Sequence, residues 1–141
     1  MSNKTILLVE DNPDDEALLL RALKKNNILN EVTVARDGAQ AIEHLFNGHS
    51  ADRPLPSVIV LDLQLPKVDG LEVLRRIRAD ERTQAIPVVV LTSSRLQEDI
   101  IESYRDGANA FVRKPIGFSD LAEAMNTFGM FWLHLNEVAA D

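Results

Sequence analysis

Asp62 closes the apolar run Val58-Ile59-Val60-Leu61, and Glu10 and Asp11 close a second, Ile6-Leu7-Leu8-Val9. A third run, Val88-Val89-Val90-Leu91, ends on the hydroxyl of Thr92, and a shorter one, Ala110-Phe111-Val112, is followed by the ammonium of Lys114. Such runs read as strands buried on both faces. In open α/β sheets the carboxyl edge of the strands is where ligands and chemistry collect. If the strands are parallel, these four ends converge on one acidic, cation-binding pocket. Carboxylates brought together there repel one another, and burial raises their pKa values unless a cation neutralises them. Few oxygen ligands and open coordination positions suit Mg²⁺, which shares its shell with water and phosphate. Screened in that way, Asp62 becomes a nucleophile toward a phosphoryl group, forming an acyl phosphate. Thr92 can donate to one phosphoryl oxygen and Lys114 can pair with another, so that catalysis is positioning plus electrostatics.

The elements that must position these groups alternate along the chain. Strands are predicted at Thr5–Glu10, Glu31–Ala35, Val58–Asp62, Val88–Thr92 and Ala110–Arg113. Apolar residues three and four apart mark helices between them. Ala17, Leu20 and Leu23 mark the first, entered through Asn12-Pro13. Ala41, Ile42 and Leu45 mark the second, Leu71, Leu74 and Ile77 the third, and Ile100, Ile101 and Tyr104 the fourth. Five βα units in succession predict an α/β fold, one sheet with helices on both faces joined by right-handed crossovers. The segment Gly48–Ser57, with Pro54 and Pro56, reads as an exposed loop.

At 141 residues the chain is read as a single domain, 1–141. Hydrophobic residues make up 45% and charged residues 26%, as in ordinary globular proteins. No apolar stretch approaches a membrane span and no signal-peptide pattern opens the chain, so no membrane association and a cytoplasmic location are expected. There is no cysteine, which excludes disulfides and thiol chemistry. With 15 basic against 22 acidic residues the net charge is −7, which disfavours nucleic acid as a partner.

A last helix is expected over about 119–138, with Leu121, Met125, Phe128, Trp132 and Leu135 in alternating steps of four and three. Phe128, Phe131 and Trp132 are three of only seven aromatics, more than packing on a small sheet needs. They are read as a homodimer or partner face. Asp69 is read as a cap of the third helix rather than as a chemical group. Asp14 and Asp15 fall in a first helical turn, where negative charge is favoured in any case. His44, His49 and His134 form no ligand pattern and are taken as surface residues.

Leu8-Val9-Glu10-Asp11-Asn12, Leu61-Asp62-Leu63-Gln64-Leu65-Pro66-Lys67-Val68-Asp69-Gly70, Leu91-Thr92-Ser93 and Lys114-Pro115 together resemble the receiver domain of two-component response regulators, over about residues 4–130. The resemblance implies a flavodoxin-like doubly wound five-stranded parallel sheet, (βα)5. It also implies Mg²⁺-dependent phosphorylation of Asp62 by a histidine kinase, in a phosphoacceptor signalling protein rather than an enzyme acting on other substrates. Asp11 and the backbone carbonyl of Gln64 are then metal ligands with Asp62, and Glu10 supports them. Pro115 is expected to follow a cis peptide bond that aims Lys114 at the site. The switch pair falls at Thr92 and Phe111. Phe111 stands where tyrosine is frequent and lacks its hydroxyl. Gln64 and Ser94 occupy positions that tune attack of water on the acyl phosphate.

No output domain follows in the sequence, so a stand-alone regulator acting on an unspecified downstream protein is expected. The Pro54/Pro56 loop and Phe131-Trp132-Leu133 are similar to stand-alone regulators associated with bacterial phytochrome-type histidine kinases, which dimerise through the last helix region. The rival reading is an interaction module of the same fold that is never phosphorylated. The full set Glu10, Asp11, Asp62, Thr92 and Lys114 weighs against it. A hydrolase would need a second acid near Asp62, and Gln64 cannot serve. No Walker-type or Gly-x-Gly-x-x-Gly phosphate loop is present.

Overall fold

β1 (Ile6–Val9) lies between β2 (Val32–Ala35) and β3 (Val58–Leu61), and β4 (Val88–Thr92) and β5 (Ala110–Arg113) extend the sheet beyond β3. All the pairings are parallel, giving one five-stranded sheet in the order β2-β1-β3-β4-β5. The computed structural model describes residues 5–26, 30–47, 55–94, 96–114, 120 and 122–123. Helices α1 (Pro13–Lys25), α2 (Gly38–Phe46), α3 (Gly70–Ala79) and α4 (Gln97–Arg105) connect successive strands. This is the flavodoxin-like, doubly wound arrangement.

Period-two alternation along the strands divides the core into two layers. Ile6, Leu8, Val58, Val60, Val89 and Leu91 face Leu19, Ala22 and Leu23 of α1, together with Ala122. Leu7, Val9, Ile59, Leu61, Val88 and Val90 face α2 and α3 through Ala41, Leu45, Val73, Leu74 and Ile77. β1, β3 and β4 are buried throughout, whereas the edge strands β2 and β5 are only partly covered.

Three expectations need correction. In α1 the buried stripe is Leu19, Ala22 and Leu23, while Ala17 is exposed and Leu20 half-buried. The helix is present with Leu23 on its buried face, but that face takes in Leu19 rather than Ala17 or Leu20, because Leu18-Leu19-Leu20 offers several equivalent apolar registers. In α4, Ile101 and Tyr104 are 49% and 51% exposed and only Ser103 is buried. Those apolar residues therefore lie on the outside of the helix. Pro56, expected in an exposed loop, is buried ahead of β3. The rest of that loop up to Pro54, His49, His134, the Lys114–Pro115 peptide bond, and Phe128, Phe131 and Trp132 lie outside the described residues.

Candidate functional site

The parallel register brings the expected residues to one edge. Val9 pairs with Leu61, so Glu10 and Asp62 leave adjacent strands side by side, and the Asp62 N–H donates to the Val9 carbonyl (3.0 Å). Thr92 ends β4 beside Arg113, and the next residue, Lys114, donates its N–H to the Thr92 carbonyl (2.8 Å). The site therefore sits at the point where the chain's path through the sheet reverses, between β1 and β3, where open α/β sheets place their ligands.

Glu10, Asp11 and Asp62 each offer a carboxylate oxygen within 4.8 Å of the others. Glu10 and Asp62 are buried, at 1% and 4% exposed, and Asp11 is open to solvent. Burial pushes the Glu10 carboxyl up to about 7, and the neighbouring Asp62 adds to it, against the opposing pull of Lys114. An oxygen-only set of clustered acids, one of them too desolvated to ionise readily, fits a hard divalent cation such as Mg²⁺.

Lys114 supplies the positive charge that these residues share. Its ammonium meets Glu10 Oε1, and lies 2.9 Å from both Asp62 Oδ2 and Asp15 Oδ2. Burial pulls the Lys114 ammonium down, and its bonds to Glu10, Asp15 and Asp62 outweigh that and leave its pKa raised. Asp15 is the residue that sequence reasoning missed. Asp14 and Asp15 both suit a helix start, but Asp14 is exposed while Asp15 turns inward to Lys114. Asn12 caps this turn, its Oδ1 accepting the N–H groups of Asp14 (2.8 Å) and Asp15 (3.1 Å). Nothing in the local pattern separates the two acids, because the contact with Lys114 is made across 99 residues.

The loop after β3 is held close to Asp62. The Gln64 N–H donates to Asp62 Oδ1 (3.1 Å), and the Gln64 side chain accepts from the Ser93 hydroxyl (3.0 Å). Lys67 takes a positive φ of 69°, and the Gly70 N–H returns to the Leu63 carbonyl (3.0 Å). A Cβ at Gly70 would stand 2.4 Å from the Asp62 carbonyl oxygen, so only glycine lets α3 begin there. Asp69 caps α3 through the Glu72 N–H (3.0 Å), as expected from its position in the turn.

Thr92 is fully buried, and its hydroxyl accepts the Ser94 N–H (3.3 Å). Ser94 in turn donates its hydroxyl to Asp99 in the first turn of α4. Phe111 is half-buried against the core layer shared with α3, and its N–H donates to the Tyr104 hydroxyl (3.2 Å). A tyrosine of α4 thus meets the backbone at the position where the sequence lacks a tyrosyl hydroxyl.

The chain is similar to known proteins. The response regulator receiver domain family matches residues 6–126. The probable methanogenesis regulatory protein FilR2 of Methanothrix harundinacea (strain 6Ac) is 40% identical over 131 residues, covering 93% of this chain and 84% of FilR2. Response regulator Rcp1 of Synechocystis sp. (strain ATCC 27184 / PCC 6803 / Kazusa) is 40% identical over 131 residues, covering 92% of this chain and 89% of Rcp1. A crystal structure of the Mn(2+)-bound form of response regulator Rcp1 superposes with a TM-score of 0.88 at 39% identity, over 97% of this chain and 99% of that one. The crystal structure of the phosphorylated cyanobacterial phytochrome response regulator RcpA gives a TM-score of 0.91 at 38% identity, over 99% of this chain and all of its own (100%). With a family match that spans most of its length and a fold that superposes on solved members, the chain belongs to the response regulator receiver domain family.

Proposed function

We propose that the protein is a cytoplasmic response regulator that accepts a phosphoryl group on Asp62 from a histidine kinase in a Mg²⁺-dependent reaction. The observation that carries this reading is the convergence of Glu10, Asp11 and Asp62 with the Lys114 ammonium at one sheet edge. Asp11, Asp62, the Gln64 carbonyl and, in support, Glu10 would hold the ion. When bound, the ion neutralises the acids and the incoming phosphoryl oxygens. An Asp62 carboxylate oxygen forms the new P–O bond as the P–N bond of the kinase phosphohistidine breaks. The electron pair leaves on the imidazole nitrogen, which takes up a proton. Asp62 is held for this attack by its own N–H on β1 and by the Gln64 N–H on Oδ1. Lys114 pairs with a phosphoryl oxygen and the Thr92 hydroxyl donates to another, and Phe111 repacks when Thr92 moves.

The likeness to Rcp1 and to a phytochrome response regulator supports a phytochrome-type kinase as the phosphoryl donor. A homodimer through Phe128, Phe131 and Trp132 completes the proposal. Sedimentation of wild type and Trp132→Ala, with and without beryllofluoride, tests it; a wild-type monomer in every condition would remove it.

The deciding experiment is intact-mass measurement after incubation with Mg²⁺ and acetyl phosphate, beside Asp62→Asn. One added phosphoryl group on wild type alone is the expected result. No adduct on wild type, with no beryllofluoride binding, would leave an interaction module that is not phosphorylated. An adduct on both proteins would mean that another residue is the acceptor.

A further inference from the structure

A lysine ammonium has three protons to donate, and carboxylates of Glu10, Asp15 and Asp62 all stand against that of Lys114. These acids are not equivalent. Among the described residues, the carboxylates close enough to share one ion are Glu10, Asp11 and Asp62, and Asp15 is outside that set. Asp15 is also the least enclosed of the three, its side chain 35% exposed against 1% for Glu10 and 5% for Asp62. Its backbone is fixed by the Asn12 cap, so its carboxylate is presented to Lys114 from a rigid helix start.

A divalent cation among Glu10, Asp11 and Asp62 would face the Lys114 ammonium across two shared carboxylates. Two cations drawn to the same oxygens repel each other strongly in a buried site, where screening is weak. Lys114 can relieve that repulsion only by moving toward an acid that the ion does not use. From these positions we infer that Asp15 is a positioning residue that takes over the Lys114 ammonium when a divalent cation occupies the acidic cluster. The inference rests on the proposal that this cluster binds Mg²⁺. Asp15 keeps the lysine beside the site, ready for a phosphoryl oxygen, yet away from the oxygens that the ion needs. Without it, the acids that Lys114 meets among the described residues are Glu10 and Asp62, and it competes with the ion for both.

The test is calorimetric titration of the purified protein with Mg²⁺, in four forms: wild type, Asp15→Asn, Lys114→Met and the double variant. Asp15→Asn should weaken Mg²⁺ binding by roughly threefold to tenfold, a usual size for coupling between contacting charges. Lys114→Met should tighten it, and adding Asp15→Asn to Lys114→Met should change nothing further. An equal loss in both backgrounds would mean that Asp15 acts on the ion through its own charge, and would overturn the hand-off alone. Unchanged or tighter binding by Asp15→Asn would also overturn it. Absence of Mg²⁺ binding by wild type would remove the metal reading and this inference with it. Asp15→Glu, which keeps the charge, should stay within about twofold of wild type; a loss as large as that of Asp15→Asn would count against the hand-off without reliance on the Lys114 variant.

Discussion

The Lys114 N–H donates to the Thr92 carbonyl at 2.8 Å, so the ammonium and the hydroxyl start from neighbouring rungs of β4 and β5. The two side chains are set by one hydrogen-bonded pair, although Thr92 ends β4 and Lys114 follows β5. Lys114 then reaches back across the sheet edge to Glu10 after β1 and Asp62 after β3.

Removing that ammonium leaves two buried acids facing each other. Lys114→Met should therefore destabilise the protein at pH 8 in EDTA by about 3 kcal/mol, the usual cost of stripping one partner from a buried ion pair. Saturating Mg²⁺ should restore much of the loss by replacing one cation with another. Urea denaturation with and without Mg²⁺ measures both terms. An equal loss in the two conditions would show that the lysine and the ion do not serve the same carboxylates.

Gly70 places a steric demand on the chain beside Asp62. A Cβ there would lie 2.4 Å from the Asp62 carbonyl oxygen and 2.5 Å from the Leu63 Cα, and both are backbone atoms. Gly70→Ala should cost about 1–3 kcal/mol, as overpacking does. Because the atoms that must give way belong to Asp62 and its neighbour, phosphorylation by acetyl phosphate should also slow. A stability loss with an unchanged phosphorylation rate would show that α3 moves instead of the Asp62 loop.

Much of this site was legible in the sequence because the apolar runs stop on charged or hydroxylic residues. Glu10, Asp62, Thr92 and Lys114 each follow or end a strand, and parallel pairing then brings them together. Local reasoning was enough for the Asp69 cap as well. Where it erred, the deciding contact was non-local or degenerate. Leu18, Leu19 and Leu20 are equivalent to a periodicity count, and only the position of the sheet selects Leu19. Asp15 differs from Asp14 through Lys114 alone, and the outward stripe on α4 has the spacing of an inward one.

Arg78 offers a contrast at the opposite, amino end of the strands. Its guanidinium donates to the carbonyls of Gly107 (2.9 Å), Gln84 (3.0 Å) and Ile86 (2.7 Å) and to Asn109 Oδ1 (2.8 Å). Asn109 Oδ1 also accepts the first N–H of β4, from Val88 (2.8 Å). Arg78 thus ties α3 to the turns that precede β4 and β5. Arg78→Met should lower stability by about 2–3 kcal/mol through unsatisfied acceptors. Mass spectrometry at a temperature where the variant is folded should find acetyl phosphate labelling at the wild-type rate. Slower labelling would reveal coupling between the two ends of the sheet.

Glu10 should make stability depend on pH in a direction unusual for a carboxylate. Its pKa rises from an ordinary 4.5 to about 7 on folding, chiefly through burial. Below 4.5 the group is protonated in both states and contributes no slope. Between 4.5 and 7 the folded protein keeps a proton that the unfolded chain has released, so stability falls as pH rises through that window. The slope from this one group approaches about 1.4 kcal/mol per pH unit, and it vanishes above the folded value. Glu10→Gln stays neutral throughout, so it should gain on wild type from pH 5 to pH 8 in EDTA. With Mg²⁺ bound, the ion favours the ionised form and the advantage of the variant should shrink or reverse. Urea denaturation of both proteins across this range reads the difference directly. A flat difference in EDTA would mean that Lys114 offsets burial fully and that Glu10 is ionised in the folded protein.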